Sequence, residues 1–298
     1  MSSRSALVKS SVSLLLQDNP GVSDPEQIIR AKARDLVLRA TEWGWSGPPF
    51  DVALLAELRD IRVDYEPAAL VDDAMLVPDL KTGQFTIKIS KGMPPERQRF
   101  NIGHEITHTF FPDCADAIQL RGGGRSPAKD LVVETLCDIG AAEMLFPLDS
   151  FTRDLTSLGG PSLRALTTLR EWYQASWEAT AHRLVDTADV PCAMVVLRLR
   201  LKPTEKRNRP FLPGCEPRPK LRVDYAVLSG NLRHCFVPPH KSIDLGSRLY
   251  DLLGSTAQPV AAVEDWSGLS LGTVEVEAIS LPTDGAETKV LAVVRPAR

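Results

Sequence analysis

Two histidines four residues apart, His104 and His108, with Glu105 between them, constrain this 298-residue chain more than any other feature. On a helix, residues four apart lie about 40° apart around the axis, so both imidazoles leave one face. Neutral imidazole nitrogen is a good zinc ligand, and two on one rigid helix form half of a tetrahedral site. Glu105 falls on the same side but is angled past the metal. That placement suits a carboxylate that takes a proton from water rather than one that binds the ion.

A hydrolytic zinc needs a third protein ligand and one open position. Downstream, Ser126-Pro127 reads as the cap and start of a helix running from Ala128 to about Leu145 and stopped at Pro147. Glu134 and Asp138 are four apart on it and share a face that Leu131, Thr135 and Ala142 mark as inward. Glu134 is the expected third ligand. Asp138 is expected to accept the distal N–H of a ligating histidine, which fixes its tautomer. With Zn2+ as cofactor, the chemistry expected is metal-assisted hydrolysis with Glu105 as general base, a zinc metalloendopeptidase. Tyr173, His182 and Arg183 are candidate oxyanion partners.

Cys114 lies six residues beyond His108, just past Pro112. Its thiolate could reach back to the zinc as an inhibitory fourth ligand and hold the site latent; the alternative is a small buried cysteine.

Elements around these motifs follow from periodicity and punctuation. Residues 1–23 are Ser-rich and read as a flexible N-terminal arm or short lead-in helix. Asp24-Pro25-Glu26 opens a helix that continues to Gly44. Gly47-Pro48-Pro49 breaks the chain before a short helix, Asp51 to Leu58. Ile61 to Tyr65 alternates as a strand, and Met75–Val77 with Gln84–Ser90 forms a hairpin about Lys81-Thr-Gly83. The arm Gln84–Ser90 is a candidate edge for pairing with a substrate strand. Pro94-Pro95-Glu96 opens the motif helix, and Arg121–Arg125 reads as a surface loop.

After a short helix at Phe151–Leu158, Ser162–Tyr173 and Ser176–Val185 resemble a helix-turn-helix pair. Few cations on the second helix favour packing over DNA reading. From Pro191 onward, strands are expected at Met194–Leu201, Leu221–Leu228, Arg233–Val237, Val260–Val263, Thr273–Leu281 and Lys289–Val294, with a helical stretch at Ile243–Leu253. The cationic stretch Arg198–Arg222 reads as a solvated hairpin loop, with phosphate contact aided by Phe211 as the alternative. The expected organisation is α+β: an arm (1–23), a metallopeptidase domain (24–150), a helical segment (151–189) and a C-terminal α+β domain (190–298).

Five cysteines without a C-x-x-C pair argue for reduced thiols and a cytoplasmic location. No run approaches the roughly 20 apolar residues of a membrane span. A formal net charge of −3 gives no global signature of nucleic-acid binding.

With these residues in place, the chain resembles the ImmA/IrrE family of metallopeptidases. The likeness is carried by Pro95–His108 and by Glu134-Thr-Leu-Cys-Asp-Ile-Gly-Ala-Ala-Glu-Met-Leu-Phe-Pro147. Cys137-Asp138 stands where the family has Ala-Asn, and Gly103 where it has alanine. The resemblance implies a zincin-like core with the ligands named above. It also implies, as substrate, a helix-turn-helix repressor cleaved under stress or DNA damage, relieving repression of damage-response, phage-defence or mobile-element genes. Single-stranded DNA is the expected activator, and residues 190–298 are expected to form a GAF-like sensor domain. The contrasting expectation is a catalytically latent regulator that binds a protein partner or DNA without cleaving it.

Overall fold

In a computed structural model of the chain, residues 10–66, 73–79, 81–122, 130–207, 217–254, 258–281 and 288–297 are described. The fold is mixed α+β and divides into two compact units, residues 1–150 with 170–176, and residues 151–169 with 177–298. The segment 151–189, expected as one body, is therefore shared between them. Ser126-Pro127, Phe211 and most of the Arg121–Arg125 loop lie outside the described residues.

The first unit opens with helix α1 (Ser11–Gln17), inside the expected arm; Ser10 caps it and Leu15 is fully buried. Helix α2 (Pro25–Glu42) begins as the sequence indicates, the Asp24 carboxylate accepting from the Glu26 N–H. Gly44, at φ 89°, lies just past its end, a left-handed position that glycine occupies without steric cost. Helix α3 (Val52–Glu57) is capped by Asp51. Strands β1 (Ile61–Glu66), β2 (Ala74–Pro78) and β3 (Phe85–Ser90) form a sheet in the order β1-β3-β2. Strand β3 is antiparallel to β2 and parallel to β1.

That topology corrects one expectation. Gln84–Ser90 cannot accept a substrate strand, because β3 is paired on both sides; an edge is offered by β2 or β1 instead. Helix α4 (Pro95–His108) carries the histidine pair and packs on β2, β3, α3 and α6 (Leu131–Leu145). Between them lies α5 (Cys114–Gly122). Helix α4 stops at His108, four residues before Pro112, and α6 is capped by Asp130 at the Val132 N–H.

Two reciprocal small-residue contacts set the α4–α6 approach. A Cβ at Gly103 would stand 3.1 Å from the Ala141 Cα, and one at Gly140 would stand 2.3 Å from Oγ1 of Thr107. Glycine at both positions lets the backbones come close enough for side chains on the two helices to share a ligand. An ion cluster around one buried carboxylate ties α2 to the same helix: Glu143, with no exposed surface, accepts from the partly exposed Arg30 and lies 3.3 Å from Nε of the half-exposed Arg34.

Helix α7 (Leu148–Ser157) and helix α8 (Leu163–Tyr173) straddle the division of the chain, and α8 turns at Gln174, φ 47°, into α9 (Trp177–Thr187). The second unit is a five-stranded antiparallel sheet, built from β4 (Ala193–Arg200), β5 (Lys220–Leu228), β6 (Val260–Asp265), β7 (Thr273–Leu281) and β8 (Lys289–Pro296). Its order is β5-β4-β8-β7-β6. Helix α9 packs on β4 and β5, and the short α10 (Pro203–Arg207) precedes β5. Val195, Leu197, Val223, Val276, Ala278 and Ala292 centre the apolar core, with Leu249 and Trp266 from the connections.

Two expectations for this unit differ. Arg233–Val237 is not a strand: the Cys235 N–H closes a turn on the Leu232 carbonyl, and Pro238-Pro239 supply no N–H to continue a ladder. Only Arg248–Leu253 of the expected Ile243–Leu253 helix is helical, as 3-10 turns. Ile243 instead donates its N–H to the Leu221 carbonyl on the margin of β5.

Candidate metal centre

The α4–α6 contact brings the sequence-predicted ligands face to face. Nε2 of His104 lies 3.3 Å from Oε2 of Glu134, and Nε2 of His108 lies 3.9 Å from its Oε1. The two imidazole rings are 5.0 Å apart by centroid and edge-on. Tetrahedral zinc with bonds of about 2.0–2.1 Å places its donors about 3.4 Å from one another. Two imidazoles and a carboxylate at these separations fit that ion with small adjustments.

Asp138 stands where its spacing implies. Its Oδ1 is 2.8 Å from Nδ1 of His104, so Nδ1 carries the proton toward Asp138 and Nε2 faces Glu134. Charge points the same way. Burial alone would lower the His104 pKa, but the hydrogen bonds to Asp138 and Glu134, with the charge of Glu105, outweigh it and raise the imidazole to about 9. A site that holds a proton this strongly presents an environment that favours positive charge. Glu105, partly buried on α4, contributes to that field.

Other residues position the donors. At the end of α4, Nε of Arg59 donates to Oγ1 of Thr109 at 3.0 Å, and its terminal nitrogen donates to the Thr109 carbonyl at 3.2 Å. The guanidinium also lies 5.0 Å from the Phe110 ring centroid. A cation on the carbonyl end of a helix is electrostatically favourable and fixes the turn directly after His108. No local motif signals this role for Arg59, which lies 50 residues away.

The remaining candidates have the following surroundings within their own units. Tyr173 is fully buried against Phe50 and Phe146 in the first unit's core. His182 stacks on Tyr225, and Arg183 pairs with Asp186, both within the second unit. Cys114 is buried at the start of α5, where it lines a small pocket with His108, Ser11 and Asp113. The sulfur grouped with the imidazoles is that of Cys137: one donor atom from each of His104, His108 and Cys137 lies within 4.8 Å of the others. Its spacing, three residues after Glu134 on the same helix face, was the available signal.

These features define a candidate metal centre, and the comparisons say what the chain around it is similar to. Residues 56–185 match the model of the IrrE N-terminal-like domain, peptidase family M78, which supports the resemblance to the ImmA/IrrE family for this part of the chain. The chain is similar to the radiation response metalloprotease IrrE of Deinococcus deserti, 30% identical over 177 residues, covering 59% of this chain and 60% of that protein. The Deinococcus radiodurans protein of the same name is 27% identical over 189 residues, covering 63% and 56%. In both cases the match spans less than two thirds of the relative's length. A solved structure titled as a Mycobacterium tuberculosis transcriptional regulator superposes with a TM-score of 0.56, at 13% identity, over 96% of this chain and 80% of that one. At that identity it supports the fold alone. No helix among the described residues is long and apolar enough to cross a membrane.

Proposed function

We propose that this chain is a zinc-dependent endopeptidase, that its substrate is a helix-turn-helix transcriptional repressor, and that cleavage relieves repression under stress or DNA damage. The observation that carries the peptidase reading is the approach of the Glu134 carboxylate to both His104 and His108, one oxygen toward each, with Asp138 orienting His104 and Glu105 adding its charge. The repressor substrate and single-stranded DNA as activator are supported by the family likeness alone. The zincin-like core, the GAF-like character of the C-terminal unit and a role in phage defence belong to the same proposal.

Zinc held by His104, His108 and Glu134 would supply Lewis acidity, acidifying water and polarising a scissile carbonyl. Asp138 keeps the His104 proton on Nδ1, so that Nε2 is available as a donor. Glu105 accepts a proton from the attacking water and delivers it to the leaving amine nitrogen. An extended substrate adds to the outer edge of β2, a strand that packs against α4. Main-chain hydrogen bonds give affinity, and alternate side chains give specificity.

The test incubates the protein with helix-turn-helix repressors from its own source organism, with and without single-stranded DNA and chelator, and reads fragments by mass spectrometry. Metal-dependent cleavage at one site, lost in Glu105→Gln, is expected. Stable binding of the repressor without cleavage under every condition would overturn the enzymatic reading in favour of a latent regulator.

A further inference from the structure

The sulfur of Cys137 has no part in the mechanism above, yet it lies beside both imidazoles of the candidate metal centre. Cys137 is fully buried on α6, one turn after Glu134, and its Sγ lies within 4.8 Å of a ring nitrogen of each of the two histidines. Asp138, on the other flank of Glu134, already holds His104 from outside. Residues 134, 137 and 138 therefore present a carboxylate, a thiol and a second carboxylate from one helix face to the imidazoles of α4.

We propose that Cys137 is a fourth protein donor to the metal, closing the coordination shell in the resting protein and making it latent. This inference rests on the metallopeptidase reading and concerns the regulation of the same centre. Zinc with four protein donors, two imidazoles, a carboxylate and a thiolate, has no position left for water or a peptide carbonyl; sites closed in this way are structural rather than catalytic. Binding forms the metal–sulfur bond and breaks the S–H bond, and the proton leaves to solvent. Activation requires Sγ to withdraw while Glu134 stays in place, which a rotation of the Cys137 side chain about χ1 accomplishes without moving α6 relative to α4.

The test uses cobalt(II) as the probe, added to the full-length, metal-stripped protein and followed by absorption. Wild type is expected to show the visible d–d bands of bound cobalt together with a near-ultraviolet thiolate-to-cobalt charge-transfer band. Cys137→Ala is expected to bind one equivalent of cobalt with the charge-transfer band lost, and Cys114→Ser is expected to retain it. X-ray absorption at the zinc edge on wild type gives a second readout that needs no variant: a sulfur shell near about 2.3 Å beside the shorter nitrogen and oxygen shell. Cobalt bound without charge transfer, a band that persists in Cys137→Ala, or a zinc shell free of sulfur overturns the assignment and leaves the peptidase reading standing. Failure to bind cobalt or zinc at all overturns both.

Discussion

Gly140→Ala is the most incisive perturbation of the metal centre, because it touches no ligand. An alanine Cβ at this position would meet Oγ1, Cγ2 and Cβ of Thr107 at 2.3, 2.5 and 3.0 Å. Rotation about χ1 of Thr107 offers no escape, because both branches and the branching carbon are within reach. Carbon contacts relax at about 3.5–4.0 Å, so α4 and α6 must separate locally by roughly 1 Å. Metal-ligand distances tolerate only about 0.2 Å, and His104 and His108 flank Thr107 on one helix while Glu134 sits on the other. Zinc affinity is therefore expected to fall about 100-fold, the upper end of what loss of an orienting contact costs. Stability changes less: overpacking costs about 1–3 kcal/mol, and replacing a helical glycine returns about 1 kcal/mol. Zinc affinity is read by competition with a chromogenic chelator, and stability by urea denaturation of the metal-free protein. Adding Thr107→Ala removes the two nearest atoms and should recover much of the affinity. Wild-type zinc affinity in the single variant would refute the claim that this contact sets the ligand spacing.

Three further outcomes are expected. Asp138→Asn should keep the fold but weaken zinc about 10- to 100-fold, measured by the same competition. In the metal-free protein His104 is raised from 6.5 to about 9. Its contribution to stability is present in full below pH 6.5 and is lost as pH rises toward 9, and Asp138→Asn should flatten that slope in urea midpoints taken across the range. Glu143→Ala strands Arg30 beside a buried vacancy, though Arg30 keeps Glu26 at 2.9 Å. A loss of about 3 kcal/mol, the low end for breaking a buried pair, is expected in denaturant titration, and no change would show that the Arg30–Glu143 pair carries no net stability.

The short-range features were legible in the chain. The pattern His-Glu-x-x-His and the four-residue spacing of Glu134 and Asp138 depend only on helix periodicity, and Asp138 meets His104 as the spacing implies. Asp24, Asp51 and the hairpin before α4 were equally local. What the sequence hid depends on tertiary approach. That β1 lies beside β3 follows from a parallel pairing no local signal encodes, and it removed the expected free edge of Gln84–Ser90. The reach of Arg59 to the end of α4 and the seating of Gly140 on Thr107 are contacts between distant segments. The cysteines show the same distinction: Cys114 is near His108 in sequence and shares a small pocket with it, whereas Cys137, distant in sequence, lies near both imidazoles. Arg233–Val237 ends in the strand-forming residues Phe236 and Val237, but two prolines and a closing turn direct it elsewhere.

A single zinc titration, run in parallel on wild type, Glu105→Gln and Glu134→Ala, tests the central claim most directly. The account predicts equal affinity for wild type and Glu105→Gln, because that carboxylate moves a proton and holds no metal. It predicts a loss of about 100-fold or more for Glu134→Ala. Wild-type affinity in Glu134→Ala, or a collapse in Glu105→Gln, would contradict it.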